Sequence, residues 1–301
     1  MRYRSFGRSG QAISALSLAL DDDHLRPAEM VNLVAGAMDH GINAFEARCD
    51  NIPAIHAIGQ AVAGLDRKLV IVGLRIPPAS RGKERNLSRD AIIKILQDAL
   101  RQTGLRWIDY LLVEDPEPDE ISPSFHMTVE AARQAKRLRY AGVAGDADSI
   151  DALLEAGRIH IYSARFNLRS GWQTRNRLKV AMHSGVISLG YDYHPRVVKE
   201  SGVLRDEMAE APRRAGILGW ATRPRIVDVE RTGPYAFLDQ IRGWTADQVC
   251  LAYALTEPAL ASVRIDAADI GAITHLADIV EREMPNGLPA QIELARVADL
   301  S

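Results

Sequence analysis

Short, nearly continuous apolar runs alternate along this chain with longer stretches whose apolar residues recur at helical spacing. Eight runs read as strands: 15–20 (ALSLAL), 44–47 (AFEA), 69–75 (LVIVGLR), 108–114 (IDYLLVE), 140–145 (YAGVAG), 160–167 (HIYSARFN), 186–191 (VISLGY) and 261–265 (ASVRI). Runs with little polar alternation suit parallel strands buried on both faces. Between them, Met30–Asp39 predicts a helix that stops at His40–Gly41, where glycine takes the left-handed terminal conformation at little cost. Ser88 is an N-cap for a helix over 88–102, with Ile92, Ile95, Leu96, Ala99 and Leu100 on one face. Helices are also predicted over 128–138, 148–155, 173–182, 245–255 and 269–281, with Thr245 and Gln248 spaced as a capping box. Repeated strand–helix units with right-handed crossovers close into a (β/α)8 barrel or spread into an open doubly wound sheet, and periodicity alone allows both.

Composition narrows the partners more than the fold. No linker or low-complexity tract divides the 301 residues, so a single domain over 1–301 is expected. The net charge of −2, with 25% charged residues, gives no electrostatic footprint for nucleic acid. The basic cluster Arg133–Arg139 (RQAKRLR) reads as the solvated end of a helix. Cys49 and Cys250 are isolated and form neither a disulfide framework nor a zinc motif. The opening MRYRSFGRSG has no apolar signal core, and no run is long enough to span a membrane. The expectation is a cytoplasmic protein with a small-molecule partner, no nucleic acid and no membrane. Nothing in the sequence fixes an oligomeric state.

Several blocks carry a resemblance. Met1–Leu16 looks like a β-hairpin that closes a barrel bottom, and Asp39–Glu46 (DHGINAFE) resembles a "GIN-F-F-D" strand. Leu87–Glu114 matches a helix, "LG" and "IDYLLVE" block; YAGVAG stands for "GVSN", RFNL for "EYNL", and Gly243–Ile265 for a last helix and strand. In order and spacing these blocks resemble the aldo-keto reductase family over nearly the whole chain. The resemblance implies an α/β fold, a (β/α)8 TIM barrel with an N-terminal β-hairpin, and a site at the C-terminal strand ends.

The family pattern places Asp, Tyr, Lys and His where this chain reads Glu46, Asn51, Arg75 and Glu114. Family chemistry uses the tyrosine hydroxyl as acid, lowers its pKa with the Lys–Asp pair, orients the carbonyl with His and takes hydride from NAD(P)H. An amide such as Asn51 does not titrate, and a guanidinium such as Arg75 keeps its proton. Glu at the His position also occurs in the steroid double-bond reductases of the family, which keep the tyrosine. The cofactor elements differ as well: Ala144–Gly145 stand for Ser-Asn, Ser163 for Gln, Gly190–Tyr191–Asp192 for "SPL", and Asp266–Asp269 for the segment that takes the adenosine phosphate. Asp266 would repel a 2′-phosphate and suits a ribose hydroxyl, which favours NAD over NADP.

Glu46, Asn51, Arg75 and Glu114 are the candidate catalytic residues. Arg48, Asp50, Arg165, Asn167, Tyr191, Tyr193 and His194 are candidates for the pocket wall. Asp21–His24 reads as an exposed polar loop, since its spacing matches no metal motif. Residues 205–225 are an excess segment, a lid or a surface excursion. Three functions fit: non-redox acid/base chemistry on, or binding of, a small polar metabolite by Glu46, Arg75 and Glu114; an NAD(P)H oxidoreductase with Tyr193 or His194 as substitute proton donor; and a pseudoenzyme that binds a ligand or partner. NAD(P)H is implied by the resemblance alone.

Overall fold

The eight apolar runs pair side by side in chain order and the last returns to the first. In the computed structural model, which describes residues 1–79, 85–195, 198 and 234–299, a hairpin precedes a closed parallel barrel. The hairpin pairs β1 (Tyr3–Ser5) with β2 (Ala12–Ser14). The barrel comprises β3 (Leu16–Ala19), β4 (Ala44–Arg48), β5 (Ile71–Ile76), β6 (Ile108–Glu114), β7 (Leu138–Ala144), β8 (Ile161–Arg165), β9 (Ile187–Tyr191) and β10 (Leu260–Asp266). Pairing of β10 with both β3 and β9 closes it. The closed ring decides between the two architectures that periodicity left open, and the (β/α)8 barrel with its N-terminal hairpin stands.

Side chains alternate about the wall of such a barrel. Outward-facing Phe45, Val72, Leu74, Leu111 and Val113 pack under the helices in one large buried cluster. Inside, Ala44, Ile71, Tyr110, Leu112, Ile161, Ile187 and Leu189 form a second cluster, plugged from below by Phe6 and Ile13 of the hairpin. Phe6 sets its ring edge-on to Tyr140 at 5.4 Å. A packed lower interior leaves only the C-terminal mouth for chemistry.

The outer helices are α1 (Pro27–Asp39), α2 (Ile52–Ala61), α3 (Arg89–Thr103), α4 (Pro123–Gln134), α5 (Ser149–Glu155), α6 (Trp172–His183), α7 (Ala246–Leu255), α8 (Ile270–Ala277) and α9 (Leu288–Asp299). Two differ from the sequence reading for identifiable reasons. The helix expected over 128–138 starts earlier, because Ser122 caps it through the Phe125 amide and Pro123 suits its first turn. It ends at Gln134, Lys136 turns the chain with φ of 56°, and Leu138 already belongs to β7. The cluster Arg133–Arg139 therefore begins at the end of α4, as expected, and runs on through a turn into the start of β7. The helix expected over 269–281 is α-helical only to Ala277 and continues as a 3₁₀ turn to Glu281. Helices α2 and α9 were not foreseen. The excess segment 205–225 lies outside the described residues.

Candidate active site

Strand period 2 sends Glu46, Arg75 and Glu114 to the same side of the barrel wall. The register pairs Glu46 with Gly73 and Gly73 with Tyr110. Gly73 is the gap that makes the arrangement possible: a Cβ there would lie 2.0 Å from the Tyr110 ring. Through that gap the Tyr110 hydroxyl donates to Glu46 Oε2 at 2.9 Å. On the other side, Arg264 of β10 donates to Glu46 Oε1 at 2.9 Å.

Arg75 is the hub. Its Nε lies 2.6 Å from Glu46 Oε1, one terminal nitrogen donates to Glu114 Oε1, and the other donates to both oxygens of Asp21. All three nitrogens thus face carboxylates, and Arg75 is only 3% exposed. Burial alone would lower the Arg75 pKa, but Glu46, Asp21 and Glu114 outweigh it and raise it. Burial alone would raise that of Glu46, yet Arg75 and Arg264, with the hydrogen bonds from Tyr110 and Arg264, hold it below the ordinary carboxylate value. Tyr110 is pushed well above its ordinary value, first by burial and then by the Glu46 charge. The interior network is therefore ionised at Glu46 and Arg75 and protonated at Tyr110. It rests in its resting charges and has no group poised to exchange a proton near neutral pH.

Above it the mouth is open and rich in carboxylates. Glu114 has 19% of its side chain exposed, against 3% for Glu46. Arg85 fixes the strand end that carries it, donating to the carbonyls of Glu114 at 2.5 Å and Asp115 at 3.3 Å and to Glu120 Oε1 at 2.9 Å. Asp115 sits at φ of 38° and Asp192 at φ of 54°, each one residue past a strand end. Left-handed non-glycine residues of this kind persist where surrounding contacts over-determine them. At Asp115 those contacts include the Asp146 amide, which donates to Oδ1 at 2.9 Å. Gly145 must lack a side chain here, because a Cβ would meet that same oxygen at 1.8 Å. Arg165 lies between Asp146 (3.4 Å) and Asp192 (3.5 Å). Arg264 and Arg165 both lie over the Tyr191 ring, at 4.9 and 5.8 Å from its centre. Burial raises the Asp146 pKa, and Asp115 and Asp192 add to the shift against Arg165 and Arg177.

The remaining candidates take other duties. Asn51 spends its amide oxygen on the Ala54 N–H as the N-cap of α2, and its amide nitrogen reaches Asp23 at 3.4 Å. Arg48 chelates Asp50 at 3.0 and 2.7 Å beside that cap. Asn167 accepts from the Arg169 amide and donates to the Asp192 carbonyl at 3.0 Å, tying the exits of β8 and β9 together. Tyr193 packs against the outer core, and burial raises its pKa. Its ring stacks on His194 at 6.3 Å. Among the described residues no cluster of His, Cys, Asp and Glu could hold a metal ion.

Four partners were missed from sequence. Asp21 turns inward onto Arg75, and of the expected exposed loop only Asp23 and His24 are exposed. Arg264 was legible in principle: Ser262, Arg264 and Asp266 alternate with apolar residues in β10, the period that points every second side chain into a barrel. Tyr110 and Arg85 had no comparable signal. One requires a glycine on the neighbouring strand, and the other reaches its partners through backbone carbonyls.

The aldo/keto reductase family model matches residues 15–293. The chain belongs to the aldo/keto reductase family. Solved aldo/keto reductases share the fold over almost the full length. The holo form of one from Bacillus halodurans has 17% identity and a TM-score of 0.74, covering 98% of this chain and 96% of its own. A thermostable one in complex with the inhibitor epalrestat has 18% identity and a TM-score of 0.70, covering 99% and 100%. One from Klebsiella pneumoniae in complex with NADPH has 17% identity and a TM-score of 0.69, covering 95% and 92%. No curated protein matches the chain significantly. Among the described residues, no helix of this family member is long and apolar enough to cross a membrane.

Proposed function

We propose that this aldo/keto reductase family member no longer reduces carbonyls by the phenol-acid route, and that it binds and performs acid/base chemistry on a small polar metabolite at the C-terminal mouth of its barrel. The observation that carries this reading is the saturation of Arg75 by Asp21, Glu46 and Glu114. A reductase of the family type needs a cation that tunes a neighbouring phenol. Here the cation is consumed by carboxylates, and the phenol bonded to Glu46, Tyr110, lies 1% exposed beneath them. The residue at the family's tyrosine position, Asn51, is committed to a helix cap.

Arg75 then positions carboxylates and does not clamp the ligand. Glu114 is the proton acceptor that faces the mouth, and Asp146, whose environment favours the protonated form, is the donor. Two carboxyl groups with separated environments suit isomerisation, elimination or a similar proton relay. Arg48, Arg165 and Tyr191 supply polar and aromatic wall.

NADPH is bound by the Klebsiella pneumoniae protein. The described residues of this chain do not fit a dinucleotide well. Asp115, Asp146, Asp192 and Asp266 crowd the ends of β6, β7, β9 and β10, where the pyrophosphate would meet like charge. The nearby cations Arg165 and Arg264 already face carboxylates. No step is therefore assigned to a nicotinamide.

Titration of NADPH and NADH against intrinsic tryptophan fluorescence tests the reading, together with an aldehyde panel. The expected result is no saturable binding below millimolar and no aldehyde turnover. Ordinary reduction of an aldehyde by either nucleotide overturns it. A thermal-shift screen of polar metabolites then identifies ligands by mass action, and Glu114→Gln should abolish turnover of any substrate found.

A further inference from the structure

The barrel end opposite the mouth has a surface of the reverse character. A groove of about 850 Å³ runs beneath the hairpin, joins a second at Ser9 and Arg139 and a third at Leu65 and Val70. Arg67, Lys68, Arg106, Arg133, Lys136 and Arg139 line this continuous surface, against one lining carboxylate, Asp66. Asp66 is turned onto the Lys68 amide at 3.0 Å. Lys68, Arg106, Lys136 and the adjoining Arg137 form no ion pair with described residues. Standing out of the same surface are three apolar side chains: Tyr3 (51% exposed), Leu65 (46%) and Leu69 (63%).

We infer that this basal face docks on an anionic phospholipid surface. Unpaired cations ringed around protruding aliphatic side chains are the chemistry of interfacial binding, in which apolar groups enter the acyl boundary and Lys and Arg meet the headgroups. The exposed cations of this face that form no ion pair with described residues would turn it toward a negative leaflet and leave the mouth facing water. A single-stranded nucleic acid fits less well. It needs free aromatic faces for stacking, whereas Leu65 and Leu69 have none and Tyr3 is tethered through its hydroxyl to the Gly41 carbonyl at 2.8 Å. This inference does not depend on the chemistry proposed for the mouth.

Co-sedimentation of the full chain with phosphatidylcholine vesicles, with and without about 30% phosphatidylserine, tests it. The wild type should pellet with anionic vesicles and not with neutral ones, and about 0.5 M salt should release it. Lys68→Glu, Lys136→Glu and Arg137→Glu combined should weaken vesicle binding about tenfold or more. Leu65→Ser with Leu69→Ser should weaken it several-fold while an equatorial control, Lys94→Glu, leaves it unchanged. Melting temperatures equal to the wild type separate lost binding from lost folding. If the triple variant does not fold, the leucine pair carries the test. Equal pelleting with both vesicle types, wild-type binding by the leucine variant, or retention on duplex DNA without vesicle binding each overturns the inference.

Discussion

Replacing Arg75 by methionine removes the hub of the interior network while keeping a chain of similar length. Glu46, 2% exposed, would retain only Arg264 and the Tyr110 hydroxyl, and Asp21 and Glu114 would lose their shared partner. Breaking a buried pair by removing one member costs about 3–5 kcal/mol, because a charge is left uncompensated. For a chain this size that is a fall of roughly 10 °C in Tm. The pH dependence is more diagnostic than the size. In the wild type, the depressed pKa of Glu46 means its stabilisation is present above the unfolded carboxylate value and is lost as pH falls through the folded one. Without Arg75, burial dominates and the Glu46 pKa rises above its unfolded value. Its contribution is then present at low pH and lost as pH rises. The gap between wild type and Arg75→Met should therefore be wide at pH near 7.5 and narrow at pH near 4.5. Urea denaturation at the two pH values measures both gaps, and the double variant with Glu46→Gln should recover part of the loss at the higher one. A cost below about 1 kcal/mol at pH 7.5, or an equal cost at both pH values, would refute the account of a charge-saturated buried hub.

Other outcomes follow from the same geometry. Gly73→Ala should cost about 1–3 kcal/mol by overpacking, since its Cβ would invade the Tyr110 ring; a Tm within a degree of the wild type would mean that the ring has room to move. Asn51→Ala should cost about 1 kcal/mol through the lost cap, and Asn51→Asp should restore most of it, as thermal melts will show. Asp146→Asn should raise Tm at pH 8 relative to the wild type and lose that advantage below about pH 3, under the ordinary aspartate pKa, where the wild-type carboxyl is protonated in the folded and unfolded chain alike. Burial raises the Cys49 thiol to about 11, so alkylation at pH 8 should be slow in the folded protein and fast in urea; equal rates would contradict the burial.

The barrel was legible because parallel strands buried on both faces write themselves as apolar runs, and all eight were found within a few residues. Helix ends were less legible. The start of α4 depended on Ser122 and Pro123, which weigh less to the eye than the apolar residues further on. The inward-pointing charges of β4, β5 and β6 were placed by their position at strand ends. Their wiring was not, because it links residues far apart in sequence: Arg75 with Asp21 and Glu114, Arg264 with Glu46. Whether a guanidinium faces a ligand or is spent on carboxylates is a question of geometry that a single chain of letters does not pose.

The three-way grip on Arg75 also bears on reversibility. A phenol placed at position 51 would remove the α2 cap and enter a mouth whose buried guanidinium already faces three carboxylates. A lysine at position 75 would offer its hydrogens from a single nitrogen, without the planar fork that now spans three carboxylates. Each residue of the family pattern, introduced singly, would enter surroundings built around the side chain that stands there now. Converting this mouth to the family pattern would therefore demand several coordinated changes, with the hub and its three acids exchanged together.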